Sequence, residues 1–516
     1  MFIGRRDDYM PSEDNKRIAK NTIFLYIRML FTMGVGLYTT RIVFATLGIE
    51  DSGTYNAVGG VVAMFSFLSS SLAGGTQRFL AFELGKKDFD KLKKTFSAAL
   101  NIHILLAIVI FILAETIGLW FLINTMNIPS GRENAVMWVY QFSILTICVS
   151  IIQVPFHASI IAHERMSIYA FVSIIDVILK LLIVYLLSVS GYDKLITFAV
   201  LSFLVSTLVV IIYFIYCIRE FCECHFRLFY EKSLYTSILS FSGWSIMGCG
   251  AVVGATHGVN ILLNIFFYPA INAARWIAIT VNNAITAFVN NFQTAVNPQI
   301  IKLYAGEKRE ELHKLLLYNS KFSFCIMWIL ALPIFLKIEI ILSIWLEEVP
   351  EYCSLFCRLV LIQSMIYCTQ RPFVMACHAI GKMRTFELST TPVLLLILPL
   401  SYIFFKWGYP VYIPFVIYII TTIIEFIIEI FLLRHWIALS FIQFCKLVLS
   451  PVFTVILTSL PLPFIMLNVM DNSFISFLII ILLSFVNTTV SVYFFALDKS
   501  LRNTLIRIIR TKILLK

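Results

Sequence analysis

Arg28, Arg41 and Arg275 stand inside long apolar runs, and so do Asp176, Lys180 and Glu425. A charged side chain near a bilayer centre costs about 2.5–3.5 kcal/mol on insertion scales, so each one calls for a cavity, a partner or a function. A guanidinium offers a planar fork of donors and a permanent charge, the geometry that a diphosphate or carboxylate accepts. Arg28 and Arg41 are thirteen residues apart, about 20 Å along a helix. They fall near opposite ends of an apolar layer, where snorkelling to the two headgroup zones serves them equally well. Arg275 shares its run with further polar groups and is the sharper candidate for a functional role.

Those neighbours are Asn283, Thr286, Asn290, Gln293 and Asn297, spaced so that one helical stripe carries five hydrogen-bonding side chains. Ser66, Ser70 and Gln77 offer a similar set in an earlier run. Polar glue between helices is the plain reading of such a stripe. Five members exceed what one packing contact needs, and amides suit sugar hydroxyls or water, so Gln77, Asn283, Asn290 and Gln293 are expected to line a wet cavity. Asp176 and Lys180, at i and i+4, can neutralise each other as a structural pair. Their other use, shared with Glu425, is coupling to a proton or sodium gradient. Glu429, one turn beyond Glu425 and near Arg434, reads as structural.

Gly250, Gly254 and Gly258 repeat at GxxxG spacing, which permits close helix contact or bending. Pro155, Pro269, Pro298, Pro372 and Pro392 read most simply as helix boundaries. The Cys222–Glu223–Cys224–His225 run lacks the second ligand pair that zinc needs. No Walker A, GxSxG or HExxH motif is present, so no nucleophile, ATPase site, metal or other cofactor is expected. Transport would have to draw on an ion gradient, the membrane potential or substrate flux.

The elements that must position these groups follow from composition. Of 516 residues, 60% are hydrophobic and 13% charged, with a mean hydropathy of +0.90. A soluble domain carries about 25% charged residues, so this chain cannot clothe its apolar bulk in water. Continuous apolar runs exclude an outer-membrane barrel and predict an all-α polytopic membrane protein with about fourteen transmembrane helices. The first is placed near 22–45, the second near 54–80, the fifth near 167–189, the eighth near 271–300 and the twelfth near 409–433. Sorting basic residues to alternate sides puts 31 of the 40 Lys and Arg on one side, which by the positive-inside rule is the cytoplasm, with both termini. The net charge of +11 is thereby spent on topology and anionic headgroups, and no nucleic-acid partner is called for.

TQRFLAFELGKKDFDKLKKTF from Thr76 and PQIIKLYAGEKREELHKLLLY from Pro298 align with a single-residue gap, an internal repeat offset by about 221 residues. Six spans separate the copies, so the repeat is parallel. The domains expected are a cytoplasmic tail at 1–21, a six-helix lobe at 22–220, a linker at 221–234, a second six-helix lobe at 235–435 around a shared central cavity, two further helices within 441–497, and a basic tail at 498–516.

Residues 20–88 resemble the opening of bacterial O-antigen and capsule repeat-unit flippases. These form the polysaccharide-exporter branch of the multidrug/oligosaccharidyl-lipid/polysaccharide superfamily. The resemblance is carried by LYIRM, LYTTR, LGIEDSGTYN, the AVGG turn and TQRFLAFELGK. It implies translocation of an undecaprenyl-diphosphate-linked oligosaccharide from the cytoplasmic to the periplasmic leaflet of the inner membrane. Polysaccharide polymerase or assembly proteins would be its partners. Related lipid II flippases place cavity arginines on the first span and the outer part of the eighth, which by location implies diphosphate contacts for Arg28, Arg41 and Arg275. Drug/cation antiporters of the same superfamily rely on acidic groups in the first lobe. An ion-coupled antiporter of small molecules is the alternative.

Overall fold

The computed structural model describes residues 12–63, 66–125, 131–189, 191–225, 231–267, 269–346, 349–470, 474–498 and 502. Among the described residues the secondary structure is helical, with no strand. The helices are α1 (Ser12–Ala63), α2 (Ser66–Lys86), α3 (Phe89–Leu113), α4 (Leu119–Thr125), α5 (Glu133–Ala162), α6 (Met166–Val189), α7 (Lys194–Glu220), α8 (Lys232–Phe266), α9 (Pro269–Ala305) and α10 (Arg309–Leu336). There follow α11 (Ile338–Trp345), α12 (Cys353–Ile380), α13 (Met383–Leu395), α14 (Ile397–Lys406), α15 (Ile413–Ile437), α16 (Phe441–Phe444), α17 (Ser450–Ser459), α18 (Pro461–Val469) and α19 (Phe474–Ser491). Short π-helical turns run on from α3, α16 and α19.

Lipid supplies no hydrogen bonds, so an apolar run satisfies its backbone only by closing each N–H on its own helix. The ends are set by side chains. Asp88 accepts the backbone N–H of Lys91 at 3.1 Å at the start of α3, a bond that holds its carboxyl below the usual carboxylate range. Asp193 accepts Leu195 N at 3.0 Å and Ile196 N at 3.2 Å at the start of α7. Gly381, at φ 83°, closes α12 in the left-handed conformation.

Eleven described stretches are long and apolar enough to cross a membrane, and the protein is a multi-pass membrane protein. The helices that carry the expected first, second and eighth spans, α1, α2 and α9, are not among the eleven. For α9 the cause is its own polarity, since Asn272, Asn282, Asn283, Asn290, Asn291 and Asn297 all lie on it.

Two expectations give way. Helical structure is continuous from Ser12 to Ala63, with no loop near 46–53. That polar stretch contains no proline and Asp51 is held by Arg132, so nothing stops the helical bonding there. Pro155, Pro298, Pro372 and Pro392 lie inside α5, α9, α12 and α13 rather than at boundaries. Packed membrane helices tolerate the missing N–H because neighbouring groups satisfy the freed carbonyl. Pro269, by contrast, is the first residue of α9.

The chain forms two compact units, one of residues 1–250 with 301–307, the other of 251–300 with 308–516. In the first, α5 packs on α7, α2 and α3, and α1 packs on α6. Its core includes Val58, Ala114, Val139, Tyr140, Ile144 and Leu195. In the second, α12 packs on α10 and α15, and α10 on α19. One core there runs through Ala255, Val259, Phe356 and Phe415, the last two rings stacked at 4.3 Å, and another through Val289, Met327, Trp328 and Leu361.

Ion pairs in the first unit sort its connections into two groups. Arg132 joins Asp51 and Asp193, which gathers the segments after the first, third and fifth expected spans. Glu164 joins Arg17 at 2.7 Å and Lys302 at 2.6 Å, which gathers the N-terminal, fourth and eighth connections.

Candidate functional site

The second unit contains a cavity of about 400 Å³. Helix α9 contributes Arg275, Asn282, Asn283, Thr286 and Asn290 to its wall, residues whose spacing keeps them on neighbouring faces. Helix α12 adds Gln363 and Tyr367, four apart, and α15 adds Tyr418, Thr422 and Glu425. Gln363 donates to Thr422 Oγ1 at 3.2 Å, linking α12 to α15 across the wall. Apolar lining comes from Val259, Leu394, Ile397 and Phe415.

Arg275 is only 7% exposed, and its guanidinium donates through Nη1 to Asn260 Oδ1. Asn272 donates to the Asn260 carbonyl at 3.1 Å, so a small amide cluster orients the arginine. Among the described residues no carboxylate pairs with Arg275, and no cation pairs with Glu425. Tyr418 lies within electrostatic range of both. A cation removed from water without an anion costs several kcal/mol in real proteins, about what a bound anion with good geometry recovers. The cavity therefore has a cationic side chain at Arg275, a carboxyl group at Glu425, and neutral hydroxyls and amides in the rest of its polar lining.

The polar stripe does not line the cavity throughout. Asn283, Thr286 and Asn290 face it, whereas Gln293 is 5% exposed and donates to Ser323 Oγ and to the Cys368 carbonyl, both at 2.9 Å. Gln293 thus ties α9 to α10 and α12, the packing role set beside a lining role in the sequence reading. The stripe repeats every 3.5 residues against 3.6 per turn, so it drifts about 20° per heptad toward the neighbouring helices. Glu429 is buried and accepts Gln370 Nε2 at 2.9 Å rather than pairing with Arg434.

A cavity of about 350 Å³ lies in the first unit, lined by Ser150, Gln153, His157, Tyr169, Ser173, Asp176, Lys180, Ser206 and Tyr213 among others. Asp176 and Lys180 form their pair at 2.8 Å. Arg28 places its guanidinium 4.4 Å from the Tyr169 ring centre, a cation–π contact. Gln77 on α2 is half-buried and lines neither cavity. Arg41 lies on α1, with its side chain outside the described residues. The Cys222–His225 run gathers no group of three metal-ligating side chains among the described residues, and its Glu223 is held by His163 Nε2 at 2.6 Å.

Three solved structures set this geometry in context. An outward-facing multidrug resistance MATE-family transporter of the MOP superfamily matches with a TM-score of 0.67 at 16% identity, over 82% of this chain and 96% of its own. A Vibrio cholerae MATE transporter matches with a TM-score of 0.69 at 13% identity, over 84% and 99%. A MOP-superfamily transporter from Pyrococcus furiosus, described as having a binding pocket of reverse polarity that suggests a different function, matches at 0.64 and 15% identity, over 84% and 99%. The chain has the MATE-transporter fold. No protein-family model and no curated protein matches the sequence.

Several residues of the site escape a reading by apolar windows. Asn260, which aims Arg275, looks like a single polar interruption of a Gly-rich run. Gln363 and Tyr418 are ordinary members of apolar helices until α12 and α15 face α9. His157 follows Pro155 in QVPFHAS, and a histidine inside an apolar run is a signal that joins Asp176 and Lys180 in marking the first cavity.

Proposed function

We propose that this protein is an inner-membrane flippase for undecaprenyl-diphosphate-linked oligosaccharide, serving O-antigen, capsule or exopolysaccharide assembly. Buried Arg275, facing a cavity with no carboxylate partner, is the observation that carries the reading. A diphosphate satisfies the arginine fork, and Asn283, Asn290 and Gln363 supply amides for sugar hydroxyls or water. Arg28 and Arg41 on α1 extend the positive charge in sequence, and Asp176, Lys180 and Glu425 serve coupling to a proton or sodium gradient. Alternating access by the two six-helix lobes would carry the headgroup between leaflets. That this fold need not serve one function is suggested by the Pyrococcus furiosus transporter, whose reverse pocket polarity is described as suggesting a different function.

An ion-coupled antiporter of small amphipathic molecules is favoured by a different observation: Glu425 shares the cavity with Tyr367, Phe415 and Tyr418, a wall suited to an aromatic cation. Gene deletion followed by leaflet-specific detection of undecaprenyl-linked oligosaccharide separates the two. Accumulation on the cytoplasmic leaflet, reversed by the restored gene, supports flipping. An unchanged distribution, in a strain without a redundant flippase, gives first place to the antiporter.

A further inference from the structure

The turn between α5 and α6 holds a residue in a conformation its type disfavours. Glu164 has φ 60°, in the left-handed region where a Cβ crowds the backbone and glycine is at home. The corresponding turn after α12 reads AIGKM against AHERM here and places Gly381 at that position, with φ 83°. A glycine at 164 would relax the turn but would remove the side chain and its ion pairs. That side chain is almost wholly buried: Oε2 accepts Arg17 Nε at 2.7 Å and Oε1 accepts Lys302 Nζ at 2.6 Å. The Glu164 carbonyl also accepts Asn21 Nδ2 at 3.0 Å. Two segments, each more than a hundred residues away in sequence, thus converge on one residue.

Lys302 reaches Glu164 because the last turn of α9 rests directly on α2. A Cβ built on Gly85 would stand 2.8 Å from both Lys302 Cα and its carbonyl oxygen, so only glycine admits this approach. Residues 301–307 accordingly belong to the first unit although the rest of α9 belongs to the second. A helix fastened at one end by a buried charge pair has two discrete states, fastened and free, because a half-withdrawn lysine leaves a buried carboxylate undercompensated.

We propose that Glu164 is the hub of an ionic latch that fastens the last turn of α9 and the start of α1 to the α5–α6 turn. Opening of this end of the transporter requires the latch to release both together. The latch rests on the transport reading but not on the choice of cargo.

Hydrogen–deuterium exchange of the full-length protein in lipid nanodiscs tests it without any substrate. In the wild type, peptides covering 12–24 and 301–307 exchange with one shared opening rate; two independent rates overturn the latch. Glu164→Gln, which keeps the shape and removes the charge, accelerates both peptides by about tenfold or more. Glu164→Gly, which suits the left-handed turn, gives the same acceleration in a protein that folds readily. Acceleration in neither variant, or confined to residues 160–168, assigns Glu164 to the local turn and overturns the latch. Glu311→Gln, which breaks the exposed Lys308–Glu311 pair, leaves both peptides unchanged.

Discussion

Replacing Arg275 by Gln should weaken anion binding while leaving the empty protein as stable as before, or more so. A hydrogen bond to a charged group is worth about 1.5–3 kcal/mol, and 1.4 kcal/mol is a factor of ten. One lost charge-assisted contact therefore predicts roughly a 10- to 150-fold higher Kd for undecaprenyl diphosphate. The ligand-free protein loses a cation that is 7% exposed and held by the neutral Asn260 amide. Removing an uncompensated buried charge is neutral or stabilising, and the Gln amide can still donate to Asn260. Thermal unfolding with and without ligand reads both effects. At a concentration of about 100 times the wild-type Kd, ligand stabilises the wild type by about 2.7 kcal/mol, and the variant by only about 0.3–1.4 kcal/mol. Arg275→Lys falls between, keeping the charge but losing the fork. A variant that retains the full ligand-induced shift refutes the anion assignment. A ligand-free variant destabilised by more than about 2 kcal/mol shows instead that the guanidinium holds the fold together.

Gln293→Ala strips the donors from Ser323 Oγ and the Cys368 carbonyl and should cost about 1–3 kcal/mol in thermal stability with ligand affinity unchanged. Altered affinity at wild-type stability would return Gln293 to the cavity wall. Gly258→Ala places a Cβ 2.6 Å from Leu398 Cδ2 and should destabilise by about 1–3 kcal/mol. At Gly254 the space is open, so alanine there should gain about 0.5–1 kcal/mol from helix propensity. The two melting curves must move in opposite directions. Glu425→Gln should lower gradient-driven transport in proteoliposomes by roughly tenfold or more while diphosphate binding stays within about twofold. A selective loss of cationic-drug binding would favour the antiporter.

The most legible features are those that each segment carries by itself. Apolar runs mark the helices, and the sorting of Lys and Arg sets Arg132 apart from Arg17 and Lys302, which in the structure join two different acidic groups, Asp51 with Asp193 and Glu164. The repeat is equally local, and the two glycines that align it lie together, a Cβ on Gly306 falling 3.7 Å from the Gly85 carbonyl oxygen. Asn290 and Gln293 mark where this kind of inference stops. They share a stripe, yet one faces the cavity and the other is claimed by α10 and α12, a division made by neighbours that enter the sequence only after residue 309. Glu164 is hidden for the same reason, since its two cations are supplied from the opposite directions of the chain. The prolines mislead because their cost in water is not their cost among packed helices.

The division of α9 between units also orders the birth of the protein. Residues 301–307 complete the first unit, yet they leave the ribosome after residues 251–300, which belong to the second. The Lys302–Glu164 pair can therefore form only after residues 251–300 have been made. A gene split at the linker near 221–234 would leave the first fragment without its α9 clasp and without Ser242, whose carbonyl accepts the Ser71 hydroxyl at 3.1 Å. Completion of the first unit in such a split protein would therefore depend on association of the second fragment.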